Sequence, residues 1–511
     1  MAPEQPLLPR ASRPLQKMAR SPITTVLLLA FSLAIFISTN RMYTMLDDEA
    51  NAIGIASLPV ASQLENLRTG RITQHPPLGD LLLHGWMVAT HDSFAMLRVP
   101  ANLFLVLSIW FIAKSAEKLA GRRAYWITLG LGLAWPFAFQ YGRIAGYYLI
   151  GMALISLLTW IYLLIVENSR LNLLWYAFTA VAVLALWTNY FVFAIFVLLL
   201  FDLVWFHRQL TREKMRSLLG VAFVIALASV PLLIIIGANH DSTPWRSLIA
   251  AMGYPVFSIF GSAAIAPWYW ALSVPVALCA LVLCVCVCFS RGRKWMIYFS
   301  LLLAAQWFSG QMNEKRTLFV MSWFFLAIGL AASGSNARVS RLAQGAAIGL
   351  LLFGWAGIVS GRHYATTNLL EPWPQVASDV AGDLKRGRPT LIGDSVVFFL
   401  YLDYQLAPSA NSGPIIYRGA AAYTSLGPGV YWDTDAPPAI GVHGDVILVN
   451  GSAPPFDIAA MDQIDTDYQQ RCTLLKDYKA APDPAFEWKR RFATSVAALP
   501  YRVDVRWFNC P

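Results

Sequence analysis

Charged residues are scarce in this 511-residue chain, because Asp, Glu, Lys and Arg together make up only 13% of it. Soluble globular domains carry about 25% charged residues, so most of this chain is not expected to fold in water. Cysteine is also rare, with six in the chain, which excludes a small scaffold held by disulfides. Hydrophobic residues, at 57%, and aromatic residues, at 13%, are abundant. This composition excludes a soluble enzyme and a disordered tail.

Uncharged apolar runs recur along the chain at lengths near the roughly 20 residues that cross a bilayer as a helix. They predict a polytopic α-helical membrane protein with about 11 transmembrane helices, in a module covering 22–361. The predicted spans are 22–39, 96–113, 124–139, 144–166, 172–187, 189–206, 217–238, 268–289, 295–309, 317–333 and 342–360.

Basic connectors set the predicted orientation of these spans. The tail 1–21 and the connectors KSAEKLAGRR (114–123), HRQLTREKMR (207–216) and RGRK (291–294) are all rich in Lys and Arg. The positive-inside rule then puts the tail in the cytoplasm, with no need for a cleavable signal. The apolar stretch 77–90 is short and contains Asp80 and His84, so it is interpreted as an interfacial helix at the outer surface.

That assignment places the first outer loop, 40–95, and everything after residue 361 on the outer side. In 362–511 acidic residues slightly outnumber basic ones, and strand-like runs occur at PTLIGDSVVFFLYL, GPIIYR, DVILVN and YRVDVRWFN. These runs predict a soluble C-terminal α/β domain, in which Cys472 and Cys510 could form a disulfide. The net charge of +10 therefore belongs to the inner membrane face, and nothing indicates nucleic-acid binding.

Three consecutive carboxylates, Asp47, Asp48 and Glu49, follow the first predicted span in the run TMLDDEANA. Either Asp47 or Asp48 could simply cap a helix. The alternative is that one carboxylate is a general base facing a cavity at the membrane surface. A neighbouring carboxylate would then raise the pKa of that base or orient the substrate.

His75 lies in the same predicted loop, immediately before two prolines in GRITQHPPLGDLLLHGW. The prolines cannot continue a preceding helix, so they begin the interfacial helix at a set angle. An interfacial histidine with a backbone partner and a functional histidine at a helix N-terminus are both compatible with this pattern.

Several cations occur on the outer side, where the positive-inside rule predicts few. They are Arg98 at the second span, Arg143 in the turn FQYGRIAGYY, and Lys315 and Arg316 in the turn QMNEKRTLF. Any one of these cations could instead extend its side chain to the lipid headgroups or pair within the protein, as Arg316 could with Glu314. A bound anion explains the set, and Arg binds phosphate oxygens in a bidentate manner.

Carboxylates, a histidine and cations at headgroup depth suit a substrate with an apolar tail, a phosphate and a polar head. A polyprenyl-phosphate-linked sugar has these three parts. The cations would stabilise the departing phosphate while a carboxylate takes the proton from the attacking hydroxyl. A single displacement of this kind inverts the anomeric carbon.

Five ordered pieces resemble a known family: the pair Asp48–Glu49, HPPL (75–78), LRVPANL (97–103), YGRIAGYY (141–148) and EKRTLFVMSWFFLAIGL (314–330). The sequence resembles the GT-C glycosyltransferases, specifically bacterial members related to dolichyl-phosphate-mannose protein mannosyltransferases and lipid A aminoarabinose transferases. The resemblance covers about the first 360 residues.

The resemblance implies that Asp48 is the catalytic base, with Asp47 making the register ambiguous by one residue. It implies that His75 lies near the donor phosphate and that Arg143, Tyr147 and Arg316 help to hold the donor. Thr317 departs from the family, in which an aromatic residue usually follows this arginine. Arg98 matches a family arginine whose phosphate-binding and structural pairing roles stay open.

No cofactor or metal is firmly implied, although the family includes members with bound cations, so a divalent cation is possible. The implied partners are an undecaprenyl-phosphate-type sugar donor, a glycan, glycolipid or protein acceptor, and the lipid bilayer. The implied location is a bacterial inner membrane, with the active site and the C-terminal domain in the periplasm. Two alternatives stay open: an oligosaccharide ligase that uses a lipid-diphosphate donor, and a non-enzymatic lipid transporter or flippase.

Overall fold

A computed structural model describes most of the transmembrane module and parts of the C-terminal segment. It describes residues 22–40, 47–69, 75–91, 93, 96–167, 172–207, 212, 214–238, 259, 270–308, 314–359, 372–384, 389–393, 398, 402, 415–417, 430–432, 443–451, 458–480 and 503–511. The predicted cytoplasmic tail therefore lies outside the described residues. So do the side chains of Asp47, Asp48 and Lys315, whose backbones begin helices.

Helices form most of the described chain. In chain order they are α1 (Pro22–Ser38), α2 (Asp47–Ala56), α3 (Val60–Thr69), α4 (Leu78–Ala89), α5 (Val99–Ala120), α6 (Arg122–Ala134), α7 (Pro136–Tyr141), α8 (Tyr147–Glu167), α9 (Asn172–Leu186), α10 (Val192–Phe206), α11 (Met215–Ala238), α12 (Trp270–Cys288), α13 (Arg293–Phe308), α14 (Glu314–Ala332), α15 (Ala337–Val359), α16 (Trp373–Leu384) and α17 (Ile458–Arg471).

Each predicted span overlaps at least one of these helices, but the bounds and lengths of the helices differ from those predicted. Within the described residues, four helical stretches are long and apolar enough to cross a membrane by themselves: Val99–Ala120, Tyr147–Glu167, Met215–Leu233 and Ala337–Ala356. Shorter apolar helices include Pro22–Ser38, Asn172–Leu186 and Val192–Phe206. The count of eleven spans stays a prediction.

One predicted span, 124–139, is two helices. Trp135 between α6 and α7 has an extended backbone, with φ −71° and ψ 123°, and Pro136 is the first residue of α7. Proline disfavours the helical conformation of the residue before it, so the break follows from the sequence Trp-Pro. After this break, α7 lies against the end of α1, where the ring centres of Phe139 and Phe36 are 5.9 Å apart.

The centre of the helical bundle is formed by α5, α8 and α14. Buried hydroxyls join these helices: the Oγ atoms of Ser156 and Ser322 are 2.5 Å apart, and those of Ser108 and Ser156 are 2.7 Å apart. The Trp323 indole also donates to Thr159 Oγ1 over 2.9 Å. Small hydroxyl residues of this kind let helices approach closely and bond within the membrane.

The C-terminal segment contains a six-stranded mixed sheet in the order β3-β2-β1-β4-β6-β5. The strands β3, β2, β1 and β4 are parallel neighbours, whereas β4 and β6, and β6 and β5, are antiparallel. A disulfide joins Cys472, before β5, to Cys510, at the end of β6. The strand bounds are β1 (Thr390–Gly393), β2 (Ile415–Tyr417), β3 (Val430–Trp432), β4 (Gly444–Gly451), β5 (Thr473–Ala480) and β6 (Val503–Cys510).

Helix α16 and one side of this sheet share a buried apolar cluster with the helices of the first outer loop. The cluster joins Trp373 of α16 and Ile447 of β4 to Ile53 of α2 and Leu83 of α4. Burial of apolar surface is the main stabilising contribution in such a contact. The C-terminal segment is therefore packed against the loop that carries the predicted base.

Candidate active site

Helix α2 begins at Asp47, directly at the acidic run. Asp47 and Asp48 occupy its first turn, and Glu49 follows with no exposed surface. A helix N-terminus favours negative charge, which explains why three carboxylates can begin this helix. The structure describes the side chain of Glu49 but not those of the two aspartates.

Glu49 forms a buried ion pair with Arg98 at the start of α5. Arg98 Nε and Nη2 each donate to a carboxylate oxygen of Glu49 over 2.7 Å, and Arg98 is 7% exposed. Arg98 Nη1 also donates to the carbonyl of Asn40 over 2.5 Å, and the amide N–H of Ala145 donates to Glu49 over 3.0 Å. The pair thus connects α2, α5, the end of α1 and the turn before α8.

Arg143, in that turn, is also buried, with 2% of its surface exposed. Its Nε donates to the carbonyl of Phe139 over 3.0 Å, and its Nη1 donates to the carbonyl of Thr39. The guanidinium carbon lies 4.0 Å from the centre of the Phe139 ring, a distance typical of a cation–π contact. Arg143 therefore holds the end of α1 against α7.

His75 contacts Tyr147, the first residue of α8. The Tyr147 hydroxyl and His75 Nε2 are 2.9 Å apart, and the ring centres are 4.4 Å apart. Pro77 precedes α4, and the amide N–H of Leu78 donates to the carbonyl of Trp187 over 3.1 Å. The two prolines therefore present His75 at the N-terminus of a short helix, as the sequence predicts.

Two glycines allow these segments to approach. A Cβ atom at Gly79 would overlap the Cβ of Tyr147, so only glycine fits where α4 meets α8. Gly146 has φ +130°, a conformation that other residues rarely adopt, and a Cβ there would lie 3.3 Å from the Cβ of Ala52 in α2. These contacts place α2, α4 and the start of α8 side by side.

The first turns of α14 reach the same place through an aromatic stack. Arg316 is half-buried, and its carbonyl accepts a hydrogen bond from Gln306 Nε2 over 3.0 Å. Phe319, one helical turn later, has its ring centre 6.1 Å from that of Tyr147 and 5.8 Å from that of Tyr148. Thr317, where the sequence departs from the family, is fully buried.

Sequence reasoning used Asp80 only as an argument against a span. In the structure Asp80 is buried in the first turn of α4, next to Gly79 and therefore next to the contact with Tyr147. Burial raises the pKa of Asp80 to about 7. A charged residue inside an otherwise apolar helix was the signal that could have identified it.

The sequence implies no firm metal site but allows a divalent cation. In the ranges that the structure describes, no group of three or more His, Cys, Asp or Glu side chains is arranged to hold a metal ion.

Comparison with known proteins agrees with the resemblance seen in the sequence. Residues 74–235 match the sequence model of the dolichyl-phosphate-mannose-protein mannosyltransferase family. No curated protein sequence matches the chain.

The fold is similar to that of ArnT from Cupriavidus metallidurans. The apo structure of ArnT aligns with a TM-score of 0.58 and 12% identity, covering 94% of this chain and 97% of ArnT. The structure of ArnT bound to undecaprenyl phosphate aligns with a TM-score of 0.53 and 14% identity, covering 95% and 98%. The resemblance predicted from the sequence is confirmed in two respects: part of the chain matches the mannosyltransferase family model, and the fold is ArnT-like.

Proposed function

We propose that this chain is an inverting glycosyltransferase that moves a sugar from an undecaprenyl-phosphate-type donor to a hydroxyl of a cell-envelope acceptor. The reaction takes place on the periplasmic side of a bacterial inner membrane, where the C-terminal α/β domain covers the site. The similarity to ArnT, one structure of which holds undecaprenyl phosphate, supports this class of donor.

The observation that carries the proposal is the meeting of segments that are distant in sequence. Glu49 contacts Ala145, Gly146 packs on Ala52, and Tyr147 contacts both His75 and Gly79. The start of α2, the His-Pro-Pro segment and the start of α8 therefore form one local structure. A catalytic constellation needs this kind of rigid support from several elements.

The proposed roles divide according to the kind of partner that each side chain has: an ion pair or backbone carbonyls in one set, and the contact between His75 and Tyr147 in the other. His75 and Tyr147 are the proposed ligands of the donor phosphate, with Arg316 and Lys315 contributing positive charge from the start of α14. Because Glu49, Arg98 and Arg143 already make contacts inside the protein, we assign them to positioning, not to direct contact with substrate. Asp48, or Asp47 in the alternative register, is the proposed general base.

In the proposed reaction the base removes the proton from the acceptor hydroxyl as the oxygen attacks the anomeric carbon. The bond from that carbon to the phosphate oxygen breaks, and the electron pair leaves with the lipid phosphate. The phosphate gains one negative charge, which nearby hydrogen-bond donors and cations stabilise more strongly in the transition state than in the ground state.

The base assignment is tested with Asp48→Asn and Asp47→Asn in cells that lack the native protein. We expect Asp48→Asn to reach wild-type protein levels in the membrane but to remove the sugar addition, measured by mass spectrometry of envelope glycans. General-base catalysis contributes about 10²- to 10⁴-fold, so the loss should be nearly complete. The matched control is Glu65→Gln, which replaces an exposed carboxylate of the same loop. Full activity of both aspartate variants would contradict the assignment.

A further inference from the structure

Asp80 is a buried carboxyl that the proposed mechanism does not yet use. It is the third residue of α4 and is 5% exposed. Among the residues that the structure describes, no cation pairs with its carboxyl, and burial alone raises its pKa to about 7. An ionised carboxylate in such a place costs free energy, whereas an amide or apolar side chain of similar size would avoid that cost. Packing of α4 therefore does not explain an aspartate at this position.

The position of Asp80 relates it to the proposed phosphate ligands. Its neighbour Gly79 packs directly on Tyr147, whose hydroxyl contacts His75. In a helix, residues four apart share a face, and His84 on the face of Asp80 reaches the carbonyl of Ala56 in α2, with its Nδ1 2.6 Å away. Asp80 therefore lies on the side of α4 that faces α2, at the end of α4 nearest to His75.

We propose that Asp80 is a further donor-binding residue, whose protonated carboxyl donates a hydrogen bond to a non-bridging oxygen of the donor phosphate. This inference rests on the proposed function. A neutral acid can donate to a phosphate oxygen, whereas an ionised carboxylate can only accept and repels the anion. The hydrogen bond strengthens as negative charge develops on the departing phosphate, and no proton needs to be transferred.

A test must separate the pH dependence due to Asp80 from that due to other titratable groups on the elements around α4. Glu49 is paired with Arg98, and His84 contacts a backbone carbonyl. His75 and the lipid phosphate itself are further ionisable groups at the site. On α2 and in the first turn of α8, the remaining ionisable groups are Asp47, Asp48, Tyr147 and Tyr148.

The test is the binding of undecaprenyl phosphate to the purified full-length protein at about pH 6 and about pH 8.5. We expect the ratio of the wild-type Kd to the Asp80→Asn Kd to rise about 30-fold from the lower to the higher pH. The reason is that about 1.5 pH units above the pKa of Asp80 only about one molecule in 30 still carries the proton that it donates. The side-chain amide of the Asp80→Asn variant donates a hydrogen bond at both pH values. Any contribution of His75 or of the lipid phosphate to the pH dependence is shared by both proteins and cancels in the ratio. Glu65→Gln is the control for loss of a carboxylate and should behave as the wild type.

A ratio of wild-type Kd to Asp80→Asn Kd that does not change with pH, with lipid binding intact, would overturn the role of Asp80 alone. Absence of lipid binding by the wild type at both pH values would overturn the proposed function and this inference with it. Asp80→Ser is a second uncharged variant if Asp80→Asn does not fold. Asp80→Glu should keep the pH dependence of the wild type.

Discussion

At the scale of single residues, the charged groups around the candidate site fall into two sets. Glu49, Arg98 and Arg143 are buried and bonded within the protein, whereas His75 and Arg316 keep part of their surface exposed. The sequence indicates both sets as candidate site residues. A charged residue near a predicted span does not reveal whether its partner is another residue of the protein or a bound ligand. Only the degree of burial in the folded protein separates them.

The proposed role of His75 and Tyr147 gives a prediction for donor affinity. His75→Ala should raise the Kd for undecaprenyl phosphate about 10- to 100-fold, because a hydrogen bond to a charged group contributes about 1.5–3 kcal/mol. Tyr147→Phe should raise it less, by about 3- to 10-fold, since the ring contacts with His75 and Phe319 stay. Binding can be followed by quenching of tryptophan fluorescence. Unchanged affinity in His75→Ala, with protein that is folded by gel filtration, would exclude His75 from the phosphate site.

At the scale of helices and turns, the Glu49–Arg98 pair determines how α2 meets α5 and α8. The two residues are far apart in the chain, and sequence reasoning placed Glu49 with the catalytic carboxylates and Arg98 with the phosphate ligands. It had no means of pairing them, because periodicity predicts helices and their apolar faces but not which helices become neighbours. The break at Trp135 and Pro136, in contrast, has a local cause that the sequence contains.

Removing one partner of this pair should destabilise the protein strongly. Glu49→Gln leaves the Arg98 guanidinium buried without its carboxylate, which costs about 3–5 kcal/mol. We expect a lower midpoint of thermal unfolding in detergent. The double variant Glu49→Gln/Arg98→Met should recover part of this loss, because no unpaired charge stays buried. A Glu49→Gln protein as stable as the wild type would show that the pair has no structural role.

The close approach of α4 to α8 can be tested with two glycines of the same helix. Gly79→Ala introduces a Cβ that overlaps Tyr147, whereas an added Cβ at Gly85 meets none of the described residues outside its own helix within 4 Å. We expect Gly79→Ala to lower both the unfolding midpoint and the lipid affinity, because it displaces Tyr147 from His75. Gly85→Ala should be neutral or stabilise α4 by up to about 1 kcal/mol. Equal behaviour of the two variants would show that α4 does not pack on α8 in this way.

At the scale of the whole molecule, hydrophobic runs located the helices and short alternating runs located strands β1, β2, β4 and β6. The order of the strands and the contact of α16 and β4 with α2 and α4 depend on long-range packing that no single-sequence pattern encodes. That contact places the C-terminal segment over the first outer loop. A disulfide between Cys472 and Cys510 is typical of an oxidising compartment, which supports the proposed periplasmic location.

The measurement that tests the account most directly is an experimental structure of the full-length protein with undecaprenyl phosphate bound. We expect the lipid phosphate within hydrogen-bond distance of His75 and Tyr147, with Asp47 and Asp48 at the opposite side of the same pocket. A phosphate bound elsewhere, or at the face formed by the basic connectors, would contradict the proposed transfer of a sugar at this site.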